Sequence, residues 1–227
     1  MNPFTTNDFD RGVPSFAEAN RLLRDAEALN PGPWVQHSLL VGQAARLIAQ
    51  KLIEKDTPPY PGLSADTAYI LGCLHDIGRR AGVTDLRHAL DGCLYLRGLG
   101  YPAAAQVCLT HSFPVQDIRA GSGRWDCTPP ELEFVRSALS GTTYTIYDRL
   151  IQLCDSLALP TGFCLIEKRL VDVALRHGVN DFSVRKWRAF LDIQKEIEQA
   201  LQVSIYSLLP DVETHTFGVS LQSASGR

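Results

Sequence analysis

The residues with the clearest chemical potential are an adjacent pair, His75-Asp76. The pair follows the apolar run Leu71-Gly72-Cys73-Leu74 and precedes Ile77-Gly78-Arg79. An imidazole nitrogen and a carboxylate oxygen are both ordinary ligands for divalent first-row metals. Neighbours on a helix point about 100° apart, so one ion takes both only where the last turn loosens. Gly78 permits the left-handed backbone that commonly ends a helix, which predicts that the pair sits at a C-terminus. On its own the pair also reads as an ordinary capped helix end.

Other metal-competent residues decide between these readings. His37 shares a helical stripe with Val41, Ala44, Ala45, Ile48 and Leu52, so it faces inward. His88 falls near a helix start and His111 near a helix end. Asp155 lies within Leu153-Cys154-Asp155-Ser156-Leu157. A carboxylate in such apolar surroundings is costly unless it is paired or metal-bound. That cost links Asp155 to the histidines.

The elements that must position these residues read as helices. Ser15-Phe16-Ala17-Glu18 has capping-box spacing and opens a helix to about Leu29. Asn30-Pro31-Gly32-Pro33 breaks it, and Pro33 starts the next, from Trp34 to about Glu54. Further helices are predicted over Ala65–Asp76, Thr84 to Arg97, Ala103 to Ser112, Thr128 to Leu139, Tyr144–Leu159, Phe163–His177 and Ser183–Gln202. The residues from Phe113 to about Thr128, with Arg119 and Arg124, form the one long irregular segment, the kind that often serves as a lid or binding loop. No alternating strand of useful length, repeat or low-complexity block is visible. The prediction is an all-α, single multi-helix domain of about eight or nine helices over residues 1–209, with a loose tail over 210–227.

Composition narrows the function classes. The chain has 227 residues, 45% hydrophobic and 21% charged, with a net charge of −3. No basic run is present, which argues against a nucleic-acid polymer as partner. No segment reaches ~18 consecutive apolar residues, and residues 1–8 lack the basic and apolar regions of a signal peptide. The six cysteines form no Cys-x-x-Cys pair and fall mostly in apolar helical patterns, as small core residues do. The expectation is a reduced, cytoplasmic protein, with room for a homodimer.

The order of these motifs resembles the HD superfamily of metal-dependent phosphohydrolases. The resemblance rests on His37 in Trp34-Val35-Gln36-His37-Ser38, on Leu74-His75-Asp76-Ile77-Gly78-Arg79, and on Asp155, and covers residues 31–160. It implies that His37, His75, Asp76 and Asp155 hold one divalent ion. Some branches of that family add two histidines between the His-Asp pair and the last Asp; His88 and His111 fall in that order and would complete a second ion, with Asp76 as the bridge. The family often has lysine where this chain has Arg79, whose planar guanidinium suits phosphate. The implied activity is hydrolysis of a phosphoester of a nucleotide or other small phosphorylated metabolite by a metal-activated water. His75 and Asp76 lie near the nucleophile in that scheme, Arg79 neutralises phosphate charge, and Arg80 and Arg124 are further substrate-binding candidates.

The same ligands also suit an HD-like di-iron oxygenase, similar in layout to myo-inositol oxygenase and acting on a small polar or phosphonate-like molecule. A third reading is a non-catalytic metal-binding helical module. Gly100-Tyr101-Pro102 matches a tripeptide that marks cyclic-di-nucleotide phosphodiesterases of the superfamily, but here it also reads as a plain turn into a helix. His177 reads as a helix cap, His215 as an inert tail residue, and Asp148 as an ion-pair partner of Arg149 or another base.

Overall fold

The computed structural model describes residues 12–218. The N-terminal residues from which a cytoplasmic location was expected, and positions 219–227 of the expected tail, lie outside them. The fold is all-α. Ten α-helices occur among the described residues: α1 (Phe16–Leu29), α2 (Pro33–Ile53), α3 (Ala65–Leu74), α4 (Arg87–Gly98), α5 (Pro102–Thr110), α6 (Pro129–Gly141), α7 (Ile146–Asp155), α8 (Ile166–His177), α9 (Ser183–Leu201) and α10 (Val212–Phe217). No helix among these residues is long and apolar enough to cross a membrane.

Three differences from the sequence reading have physical reasons. The expected loose tail contains α10, which packs against residues 162–163, with the His215 ring lying against Gly162. The helix expected over Tyr144–Leu159 ends at Asp155 instead, and an antiparallel pair follows, β1 (Ala158–Leu159) with β2 (Gly162–Phe163). Pro160 and Gly162 supply turn chemistry there that the apolar periodicity on either side concealed. The long loop is not free either. Trp125 stacks on Phe113 with centroids 5.6 Å apart and donates to the Ile118 carbonyl, and Asp126 accepts from the Asp85 and Arg87 backbones.

Local signals set the helix starts. The Ser15 side chain accepts from the Glu18 backbone, although the Glu18 carboxylate pairs with Arg21 rather than closing a capping box. Thr128 and Glu131 do form one, the Glu131 carboxylate accepting from the Thr128 backbone. Pro33 and Pro102 occupy first turns, where a missing N–H costs nothing.

Close helix contact then determines where the ligand candidates meet. Helices α2 and α3 touch at Gly42 and Gly72; a Cβ on Gly72 would lie 2.6 Å from the Gly42 backbone. This contact brings His37 of α2 beside His75, with ring centroids 5.2 Å apart. After α3 the chain tightens into a 3-10 turn, Ile77–Ala81, packed against α4. Gly78 is not left-handed, contrary to the sequence reading. Its role is close approach: a Cβ there would lie 1.9 Å from the His88 carbonyl oxygen. Buried Tyr147, Phe113, Phe163, Leu71, Leu74, Leu90 and Leu96 fill the core around these contacts.

Candidate metal centre

His37, His75, Asp76, His88 and His111 are buried together, and Asp155 is half-buried beside them. Each comes from a different place: α2, the C-terminus of α3, the turn after it, the first turn of α4, the C-terminus of α5, and the last residue of α7. The His75 ring lies 4.9 Å from that of His111, and the His111 ring 5.5 Å from that of His88.

Three imidazoles are oriented in the same way. His75 Nδ1 meets the Gly72 carbonyl at 2.7 Å, His111 Nδ1 meets the Cys108 carbonyl at 2.7 Å, and His88 Nδ1 meets the Asp85 carbonyl. A carbonyl only accepts, so each Nδ1 carries the proton and each Nε2 presents a lone pair. Such a backbone bond fixes tautomer and ring angle in metal-ligating histidines.

The Nε2 atoms of His88 and His111 converge on one carboxylate, while His37 donates to another. His88 Nε2 is 3.1 Å from Asp76 Oδ1 and His111 Nε2 is 3.6 Å from the same oxygen. His37 Nε2 lies 3.0 Å from Asp155 Oδ1. His37 Nδ1, His75 Nε2, His88 Nε2 and Asp76 Oδ1 are all buried with no hydrogen-bond partner. Buried polar groups are rarely left so, and each costs about 1–3 kcal/mol. A cation among them would satisfy them together. Two triads have ligand atoms mutually within 4.8 Å: His37, His75 and Asp155, and His75, Asp76 and His111. The donor set, imidazole nitrogens with carboxylate oxygens, fits one or two divalent ions.

The electrostatics agree with ligand duty. Burial, with the nearby His75, pushes His111 down to about 3 and burial lowers His75, so both stay neutral and able to coordinate. Burial alone would raise Asp76 and Asp155. The Arg79 guanidinium overcomes it at Asp76, and the His37 hydrogen bond with the Arg169 charge overcomes it at Asp155; both carboxylates are held below their ordinary range.

Not every sequence candidate reaches this place. Arg79 does: it lines the cavity, and its Nε donates to Asp76 Oδ2 at 2.6 Å. Arg80 instead lies over the Tyr95 ring at 4.1 Å. Arg124 is exposed, and its backbone rather than its side chain is engaged, with Asp85 and Leu86. Neither side chain of these two substrate-binding candidates, Arg80 and Arg124, lines the cavity. Arg119 is likewise outward, paired with Asp117.

Sequence reasoning missed the opposite wall. Arg169, Asp172, Arg176 and His177 of α8 and Lys186, Trp187 and Phe190 of α9 line a cavity of about 460 Å³ that opens onto the candidate centre. His177, read as a simple cap, faces Asp85 at 3.6 Å. One signal was present: Lys186 begins the inward stripe Phe190, Ile193, Ile197 and Leu201, an odd place for a lysine. For Arg169 no local pattern distinguishes it from a surface base. Asp148, which the sequence allowed either to support the ligands from behind or to pair with a base, binds hydroxyls and an amide. It is buried, accepts from Thr110, Gln106 and Thr145, and so ties α5 to α7, the two helices that end in His111 and Asp155.

The ordered series of His37, His75-Asp76 and Asp155 is therefore a spatial constellation as well as a sequence pattern. The family model for the HD domain matches residues 34–159. The chain belongs to the HD domain family. All six candidate ligands lie inside the matched segment, and helices α8 and α9 lie beyond it. No curated protein and no solved structure matches the chain.

Proposed function

We propose that this HD-domain protein is a metal-dependent phosphohydrolase acting on a small phosphorylated metabolite. Metal-dependent phosphohydrolysis is the general activity of the family. The observation that supports it here is that unpartnered, buried His88 Nε2 and Asp76 Oδ1 line a cavity, with unpartnered His75 Nε2 clustered beside Asp76. In this reading His37, His75, Asp76 and Asp155 would hold one ion, and His88 and His111 would help to hold a second. The ions supply Lewis acidity and a water acidic enough to attack at neutral pH.

The chain's own residues do the rest. The Gly72, Asp85 and Cys108 carbonyls keep three imidazoles proton-free at Nε2. Arg79 holds Asp76 in its ionised form and adds positive charge beside it, which favours the negative charge that grows on a phosphoryl group. Trp34, Leu170, Trp187 and Phe190 give the cavity apolar walls for the organic part of a substrate. The volume of about 460 Å³ suits a nucleotide or sugar phosphate.

The test is elemental analysis of purified protein followed by a phosphoester panel in Mn²⁺, Co²⁺ and Ni²⁺. Bound metal with released phosphate is expected. Two irons with oxygen-dependent turnover and no phosphate release would instead establish the oxygenase use of the same ligands. Metal without any turnover would leave a non-catalytic module.

A further inference from the structure

Four cationic side chains, besides the histidines, line the cavity: Arg79, Arg169, Arg176 and Lys186. Three already have carboxylates. Arg79 Nε is on Asp76 at 2.6 Å. Arg169 Nη1 is 3.0 Å from Asp172, and its Nη2 is 3.6 Å from Asp155. Arg176 Nη2 is on Asp172 at 2.8 Å. Lys186 differs. Its Nζ donates to the neutral Ser122 hydroxyl at 3.1 Å, and its remaining contact is the Phe190 ring at 5.9 Å. No ion pair reaches it among the described residues, yet the residue is only 7% exposed.

A buried ammonium without a counter-ion is expensive. Burial pushes Lys186 down to about 8, Arg169 lowers it further, and Asp155 offsets only part of this. The side chain therefore keeps its charge at neutral pH at a cost that an anion in the cavity would remove. The ammonium of α9 lines the same cavity as the imidazoles of His37, His88 and His111. A phosphoryl group has three non-bridging oxygens, enough to face the ligand cluster and an ammonium at once. Apolar Trp187 and Phe190 flank the lysine and can take an organic remainder but not the charge.

We propose that Lys186, supplied by a helix outside the family-matched segment and positioned by Ser122 of the long loop, binds the phosphoryl group of the substrate. The proposal rests on the phosphohydrolase reading for the nature of the ligand, and its test requires no turnover. Inorganic phosphate is titrated calorimetrically into metal-loaded protein. Wild-type protein binds it, and Lys186→Met weakens binding at least about tenfold, the weight of a charge-assisted hydrogen bond. Metal content is unchanged in that variant, and Lys186→Arg recovers most of the affinity. Methionine suits the apolar stripe, and circular dichroism checks the fold. Ser122→Ala gives an independent reading that leaves Lys186 in place: a loss of about two- to fivefold is expected.

Phosphate affinity in Lys186→Met within twofold of wild type overturns the proposal, as does wild-type protein that binds no phosphate. An unchanged Kd in Ser122→Ala overturns the positioning by Ser122. Failure of the enzyme reading looks different: no phosphoester is hydrolysed, while Lys186→Met still loses phosphate affinity.

Discussion

The wall of the cavity built by residues 34–159 carries mainly lone pairs: two imidazoles locked by backbone carbonyls and two carboxylates held ionised, with Arg79 its one guanidinium. The wall built by α8 and α9 carries donors: two guanidiniums sharing Asp172 and one ammonium on Ser122. The first is built to surround cations and the second to meet an anion. A substrate that is itself anionic, bound beside a metal, needs both. The two walls also differ in rigidity of design. Every ligand histidine but His37 is fixed through Nδ1 to a backbone carbonyl, whereas Lys186 is fixed by a single hydroxyl from a loop.

The contrast predicts a graded series of losses. Asp155→Ala removes a carboxylate from the first wall, leaves His37 Nε2 without a partner, and should abolish bound metal and lower turnover roughly 10³-fold or more. Elemental analysis with phosphate-release kinetics checks it, and surviving metal would break the division between walls. His88→Ala should remove one ion of two and cost on the order of 10²-fold in turnover. An unchanged stoichiometry of two would remove His88 from the ligand set.

Gly78→Ala strikes the packing that supports the first wall. A Cβ 1.9 Å from the His88 carbonyl forces α4 away and should destabilise by about 3 kcal/mol, the upper end for overpacking. Chemical denaturation measures it, and metal affinity should fall with it because His88 moves.

Acid should also act on the first wall. The folded chain keeps His111 neutral down to about 3, while the unfolded chain takes up that proton near 6.5. Below 6.5 the unfolded state therefore binds more protons, so metal-free stability falls as pH drops through this window. The slope is at most about 1.4 kcal/mol per pH unit for this histidine, and lowered His75 acts in the same direction. Asp76 and Asp155, held below 3.8, add to the loss at still lower pH. Denaturant melts between pH 4 and 7 check this; flat stability would contradict the neutral-histidine account. The smallest effect belongs to Arg80→Ala and Arg124→Ala, whose side chains lie off the cavity. Both should leave kcat/KM within about twofold, which sharpens the boundary of the second wall.

The same contrast explains what could be read in the sequence. Helical stripes and capping residues located most of the helices, because burial and caps are local in sequence. The ligand set was legible because buried histidines and a buried aspartate violate the apolar pattern around them. The arginines were not, since Arg79, Arg80 and Arg124 look alike until packing turns one to Asp76, one to Tyr95 and one outward. Lys186 marked itself by interrupting an apolar stripe, but only the cavity gives that interruption a direction. The Gly78 contact depends on α4, whose approach no local pattern encodes.

The central claim is that the convergent lone pairs serve phosphoester hydrolysis. The most direct measurement is phosphate release from a phosphomonoester panel by metal-loaded protein under strict exclusion of oxygen. The account predicts release that persists without oxygen and disappears when the metal is chelated. No release with any metal, or turnover that appears only when oxygen is admitted, would contradict it.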